Sequence, residues 1–263
     1  MMKAAILSLL FLLFANYSAD AQKSFPVEAT HISVTYSGTI YLISGAQISE
    51  TDTTGKIISD FTLPGNMTID HCDVVNPLEI ILFNKDFNKI FTLNNKLSII
   101  GTPLQADEIG LGNIQTIASS SMGGIWLFNN DNRKIIHYSA TSEKSIFTVS
   151  LTSIREYKND LPLKMVETSQ GLLVSFPESG LFKFSHNGIF QKQIDTKNLR
   201  LLEAYGETAL LTDNQNIIIL NVINNTLETV CHKENVTDAF RYQNKLIIFD
   251  GKNISFEKIP DKK

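Results

Sequence analysis

An all-β fold made of six copies of one antiparallel hairpin is what this sequence predicts, on three observations. The stretch Leu78-Glu79-Ile80-Ile81-Leu82-Phe83-Asn84-Lys85-Asp86-Phe87-Asn88-Lys89-Ile90-Phe91-Thr92-Leu93 joins an apolar run to a returning run of alternating polarity through a polar turn. That is the signature of a β-hairpin. The pattern then recurs, with its first apolar residue at Ile40, Ile80, Ile125, Leu172, Ala209 and Leu246, so that the steps are 40, 45, 47, 37 and 37 residues. Finally, strand-type alternation leaves almost no room for helices. A period near forty with four short strands per unit is what a β-propeller blade requires, and six units make a six-bladed propeller of four-stranded antiparallel blades.

The first blade is expected to hold strands at 30–36, 39–44, 47–51 and 56–63, with Asp52-Thr53-Thr54-Gly55 turning between the last two. The second takes 68–74, 78–83, 89–93 and 97–101. The third runs from Asn113 to Leu151, with turns at Ser121-Met122-Gly123-Gly124 and Asn129-Asn130-Asp131-Asn132. A charged connection, 152–160, reads as a surface loop or helical turn. The fourth blade runs from Leu161 to Ile194 and the fifth from Leu199 to Lys233. The last, Val236 to Ile259, offers three strands before Pro260 and the tail Asp261-Lys262-Lys263. The segment Lys23 to Thr30 is left over at the other end and is expected to pair with it and close the ring, because an unpaired outer strand exposes a row of backbone donors and acceptors.

The start of the chain predicts export. One Lys3, an apolar stretch from Ala4 to Ala15 and small residues at Ala19 and Ala21 form a signal peptide over residues 1–21, leaving 22–263 as a single domain. No cysteine stands at the cleavage site, which disfavours a lipoprotein, and no second long apolar run follows, so no transmembrane segment is expected after cleavage. A 43% hydrophobic composition suits a sizeable core, and a net charge of -4 without a basic stripe argues against nucleic acid as a partner. The cysteines, Cys72 and Cys231, fall on blades nearly opposite across the ring, too far apart to bridge, and two free, mostly buried thiols are expected.

Phe128-Asn129-Asn130-Asp131-Asn132-Arg133-Lys134-Ile135 is similar to the turn of NHL propellers, and Thr51-Asp52-Thr53-Thr54-Gly55-Lys56-Ile57 looks like the Asp-x-x-Gly turn of many blades. The chain therefore resembles the six-bladed propellers with NHL-like or TolB-like blades. The stretch Cys72-Asp73-Val74-Val75-Asn76-Pro77, continuing to Asn94-Asn95-Lys96-Leu97, also resembles an uncharacterised family of secreted propellers from Bacteroidota, which implies an envelope location and no assigned activity. It departs from WD40 repeats in lacking any Trp-Asp pair and from kelch repeats in lacking paired glycines.

The innermost strand of each blade should line the central channel. Those strands carry Asp70, Glu167, Glu203 and Asp238, and their oxygen ligands would suit Ca²⁺ in a metal-dependent hydrolase or lactonase. The other reading is that these carboxylates cap strands and line a solvated channel. His71-Cys72 and Cys231-His232 do not make a zinc site, because adjacent strand residues point to opposite faces. Rows such as Ile80, Leu82, Phe91 and Leu93 are expected to be core between blades. Phe87 and Tyr205 are the aromatics placed for contact with a partner or a carbohydrate. No Gly-x-Ser-x-Gly elbow, Walker loop or dinucleotide fingerprint is present. The leading expectation is a secreted or periplasmic, non-catalytic module that binds a protein partner in the cell envelope. The Ca²⁺ enzyme is its alternative.

Overall fold

A computed structural model describes residues 24–260, so the signal peptide expected at 1–21 lies outside the described residues. Six four-stranded antiparallel sheets make up the fold. The first is β2 (His31–Val34), β3 (Ile40–Ser44), β4 (Gln47–Thr51) and β5 (Ile57–Thr62), and the second is β6 (His71–Asp73), β7 (Ile80–Asn84), β8 (Lys89–Leu93) and β9 (Leu104–Gln105). The third holds β10 (Ile114–Ser119), β11 (Ile125–Asn129), β12 (Lys134–Ser139) and β13 (Lys144–Ser150). In the fourth are β14 (Lys164–Thr168), β15 (Gly171–Phe176), β16 (Gly180–Phe184) and β17 (Phe190–Ile194). The fifth contains β18 (Arg200–Tyr205), β19 (Thr208–Thr212), β20 (Asn216–Asn221) and β21 (Leu227–His232). The sixth pairs β22 (Asp238–Tyr242), β23 (Lys245–Phe249) and β24 (Asn253–Lys258) with β1 (Ser24–Pro26).

The outermost position of the sixth sheet is thus taken by the other end of the chain. β1 lies antiparallel to β24 in the register Ser24↔Ser255, Phe25↔Ile254 and Pro26↔Asn253. Phe25 is buried in the cluster that joins Phe240, Ile247 and Phe249 of the sixth sheet to Ile32, Ile40 and Leu42 of the first. Five further clusters fill the other interfaces between consecutive sheets. Unbroken buried runs in strands such as β7, β11 and β15 produce this arrangement, since each sheet must be apolar on both faces to pack between two neighbours. Ile80, Leu82, Phe91 and Leu93 accordingly join one such cluster.

The second sheet departs from the sequence expectation. Its outer strand lies at Leu104–Gln105, where Lys89 pairs with Gln105 and Ile90 with Leu104, and 97–101 contributes a single bridge from Leu93 to Ile99. The reason is local. Asn94 Oδ1 accepts the amides of Lys96 (2.9 Å) and Ser98 (3.0 Å), closing a turn in which Leu97 takes φ 55° and points its side chain into the core. A chain turned this way cannot run on as a strand. A 3₁₀ turn, Leu151–Ser153, begins one residue before the predicted loop and opens the charged connection that leads to the fourth sheet.

Candidate functional site

The innermost strands β2, β6, β10, β14, β18 and β22 run side by side around a central channel. One mouth, here the lower, lies where these strands begin and is lined by His31, Asp70, His71, Lys164, Arg200 and Asp238 around a cavity of about 190 Å³. A constriction of about 40 Å³ follows, with Cys72, Asp73, Lys164 and Glu203 on its walls. The upper mouth, where the strands end, opens into a larger cavity of about 470 Å³.

Polar side chains on these strands form a circumferential set of ties. Ser33 Oγ donates to the Cys72 carbonyl (3.2 Å), and Asp73 Oδ2 accepts the Ser119 amide (2.7 Å). Glu167 Oε2 accepts the Ser121 amide (3.1 Å), and Lys164 Nζ donates to the Leu202 carbonyl. Arg200 donates to the carbonyls of Val236 (2.6 Å) and Thr237 (3.0 Å), and Asp238 Oδ2 accepts the Ile32 amide (3.0 Å). Each bond joins one sheet to the next, and the last joins the sixth sheet to the first. All but the Ser33 bond involve an ionisable side chain, and charge-assisted bonds are among the stronger ones a protein makes.

Three of the four carboxylates read from the sequence are therefore occupied by the scaffold. Asp70 Oδ2 accepts the Lys85 amide (2.8 Å) and Asn84 Nδ2 (3.3 Å), which caps the β7–β8 hairpin. Glu167 is buried between the third and fourth sheets, where it accepts Trp126 Nε1 (2.8 Å), Ser121 Oγ (2.8 Å) and His186 Nδ1 (2.5 Å) besides the Ser121 amide. Burial pushes its carboxyl up, but those hydrogen bonds outweigh burial and hold it below the ordinary carboxylate range. Asp238 also meets His31 Nδ1 at 3.2 Å. That hydrogen bond raises the His31 pKa against the effect of burial. The four carboxylates do not converge, and among the described residues no group of three or more His, Cys, Asp or Glu side chains is placed to hold a metal ion.

Glu203 differs from the other three. Its carboxyl is met by the Ala204 amide of its own strand, and burial pushes it up to about 7, with Lys164 opposing and Asp73 and Asp238 reinforcing that rise. It stands where the constriction meets the upper cavity and lines both. Above it the walls are Val34, Leu210 and Phe240, and the rim is made by Tyr36, Val75 and Tyr205, which are 63%, 47% and 67% exposed. Phe87, the other aromatic read from the sequence, is 52% exposed but sits on the β7–β8 hairpin beside Asp70, on the opposite face of the ring from Tyr205. Tyr36 was not anticipated. Tyr36 comes just after the end of β2 and Tyr205 ends β18, each just before a glycine-containing turn, and that similar position is the signal that could have found it. Gly38 in that turn has φ 89°, and a Cβ there would lie 2.7 Å from the Tyr242 ring, so close packing on the sixth sheet fixes the loop that carries Tyr36.

Both thiols are free and half-buried. Burial pushes Cys72 up to about 12, and burial followed by the Glu257 carboxylate, 2.7 Å from Sγ, does the same to Cys231, so neither is an activated nucleophile.

Fold and site together define a six-bladed β-propeller with an apolar, aromatic-rimmed cavity at one mouth. Solved structures share this architecture. Virginiamycin B lyase from Staphylococcus aureus is 14% identical, with a TM-score of 0.62 over 90% of this chain and 100% of that one. BBS1N in complex with ARL6DN is 15% identical, with a TM-score of 0.58 over 89% and 79%. The Pan2 WD40 domain of Neurospora crassa is 8% identical, with a TM-score of 0.55 over 95% and 93%. At such identities the likeness is one of fold. No family model and no curated protein matches the chain.

Proposed function

We propose that this chain is an exported, non-catalytic binding module of the cell envelope that holds a protein partner on its upper face. One observation carries the reading: the exposed side chains Tyr36, Val75 and Tyr205, all close to half or more exposed, gather around a single mouth with a concave centre. Tyrosines in such a setting give large contact area at low entropic cost and are typical anchors of interfaces. The occupied state of Asp70, Glu167 and Asp238 supports a binding rather than a hydrolytic role, because ligand or acid–base work would first have to break the cap on the β7–β8 hairpin and the ties between sheets. The likeness in fold to BBS1N, solved in complex with ARL6DN, is consistent with a propeller that binds protein. An amino-terminal stretch with the features of a signal peptide supports the address.

The test is co-purification from the host's envelopes with face-specific variants. Wild type and Phe87→Ala should retain the same stoichiometric partner, while the double variant Tyr36→Ala/Tyr205→Ala loses it. Retention by the double variant and loss by Phe87→Ala would place the interface on the lower face and overturn the assignment.

A further inference from the structure

The upper cavity has a chemistry more specific than an apolar depression. Its walls are the side chains of Val34, Leu210 and Phe240, its rim carries Tyr36 and Tyr205, and at its base stands the carboxyl of Glu203. Among the carboxylates read from the sequence, Glu203 alone makes no hydrogen bond to a neighbouring sheet or hairpin. Asp73, Glu167 and Asp238, on neighbouring innermost strands, each accept a backbone amide of the adjoining sheet. Glu203 and Tyr205 are alternate residues of β18 and face the same way, about 6.6 Å apart along the strand. A carboxylate set that far beneath an aromatic rim matches an ammonium at the end of an unbranched four-carbon stem. The stem gains by leaving water for the apolar wall, and the aromatic faces attract a cation passing them.

We propose that this cavity receives the side chain of a lysine presented by the partner protein, with its methylene stem among Tyr36, Tyr205 and Phe240 and its ammonium against the Glu203 carboxylate. The proposal rests on the binding reading above and names what the upper face grips. Charge complementarity selects this occupant. Burial disfavours the Glu203 anion, and Lys164, the cation of the constriction, donates to the Leu202 carbonyl. Burial still outweighs the pull of Lys164 on Glu203, and an incoming ammonium adds a second, direct counter-charge. Arg241 and Glu207 also line the cavity, one charge of each sign.

n-Pentylamine serves as the probe of the side chain and 1-pentanol as its uncharged counterpart, each titrated into the protein at pH 8 while amide chemical shifts are followed. The amine should shift amides over residues 203–207 and 240–241 and bind about tenfold more tightly than the alcohol, a difference of about 1.4 kcal/mol. Glu203→Gln, checked for an unchanged melting curve, should bring the two probes to within about twofold of each other. In the wild type the amine's advantage should fade as pH drops below about 7. Glu203 then takes up a proton, in the field of Lys164 from β14, Asp73 from β6 and Asp238 from β22, with Tyr205, Glu207 and Arg241 around the cavity above. Equal affinity for amine and alcohol, or amine shifts unaltered in Glu203→Gln, would overturn the proposal. So would undiminished partner capture by Glu203→Gln, an outcome that leaves the upper-face interface standing and removes only the lysine. Loss of capture by Tyr36→Ala/Tyr205→Ala with retention by Glu203→Gln separates the two in one experiment.

Discussion

Removing the Glu167 carboxylate would leave the fully buried Trp126 indole N–H without its acceptor, and would free the hydroxyl and amide of the exposed Ser121 to water. A buried donor so stranded costs about 1–3 kcal/mol, so Glu167→Ala should destabilise the protein by about that much. The measurement is convenient, because Trp126 is the sole tryptophan and its indole is fully buried against His137, ring centroids 4.6 Å apart. Denaturant unfolding followed by its fluorescence should show a lower midpoint, and an unchanged one would mean that the carboxylate ties nothing. The same contacts set a pH dependence. A carboxyl held below its ordinary value of 4.5 adds stability that is present above that pH and is lost as pH falls through the lowered folded value. Glu167→Gln should flatten that acid limb. The sequence could place Glu167 on an innermost strand but not reveal this role, since its partners are an indole 41 residues away and an amide 46 residues away that a periodic pattern does not rank.

Two hairpins repeat one device that the sequence spelled out. β7 ends in Phe83-Asn84 and β11 in Phe128-Asn129, and each buried asparagine works on both sides of its turn. Asn84 Oδ1 accepts the Phe87 amide (2.7 Å) while its Nδ2 donates to the Thr68 carbonyl (2.8 Å). Asn129 Oδ1 accepts the Asn132 amide (2.8 Å) while its Nδ2 donates to the Leu111 carbonyl (2.6 Å). The turn is thereby locked to the segment that leads into the innermost strand of the same sheet. Asn129→Ala should cost about 1–3 kcal/mol, because the Leu111 carbonyl is left buried without its donor. A thermal melt reads this directly, and a change within about 0.5 kcal/mol, the range of ordinary surface substitutions, would show the lock to be dispensable. Hairpins of this kind were legible from their apolar runs and Asn-Asp turns. The short β9 was not, because Leu97 obeys the alternation rule as an apolar residue yet enters the core from a turn instead of a strand. Periodicity reports which residues are buried, and not by which backbone conformation they arrive.

At the scale of the whole ring, the blade count followed from a forty-residue period because each sheet must be apolar on both faces, and each therefore needs a neighbour on either side. The ties between innermost strands carry the same period. Ser33 reaches Cys72 across 39 residues, Asp73 reaches Ser119 across 46 and Lys164 reaches Leu202 across 38, whereas Asp238 reaches Ile32 across 206. That last tie spans the two ends of the chain, and β1 lies on the same sheet further out. If β1 acts as the strap that holds the sixth sheet to the first, deleting residues 23–29 must uncover the β24 edge and empty the place of Phe25. The ring of Phe25 lies 2.7 Å from where a Cβ on Gly55 would be, so the strand also braces the β4–β5 turn of the first sheet. Losing the burial of one phenylalanine removes about 2–3 kcal/mol before the strand's own backbone hydrogen bonds are counted. For a domain of this size that lowers the melting temperature by about 5–10 °C. Phe25→Ala alone should reproduce a part of the fall, since Phe25 is the one buried side chain of β1 while the deletion also removes the pairing with β24 and the contacts of Val27 and Ala29. An unchanged melting temperature in the deletion would show that the apolar cluster between the sixth and first sheets, together with the Asp238 tie, holds the ring without the strap.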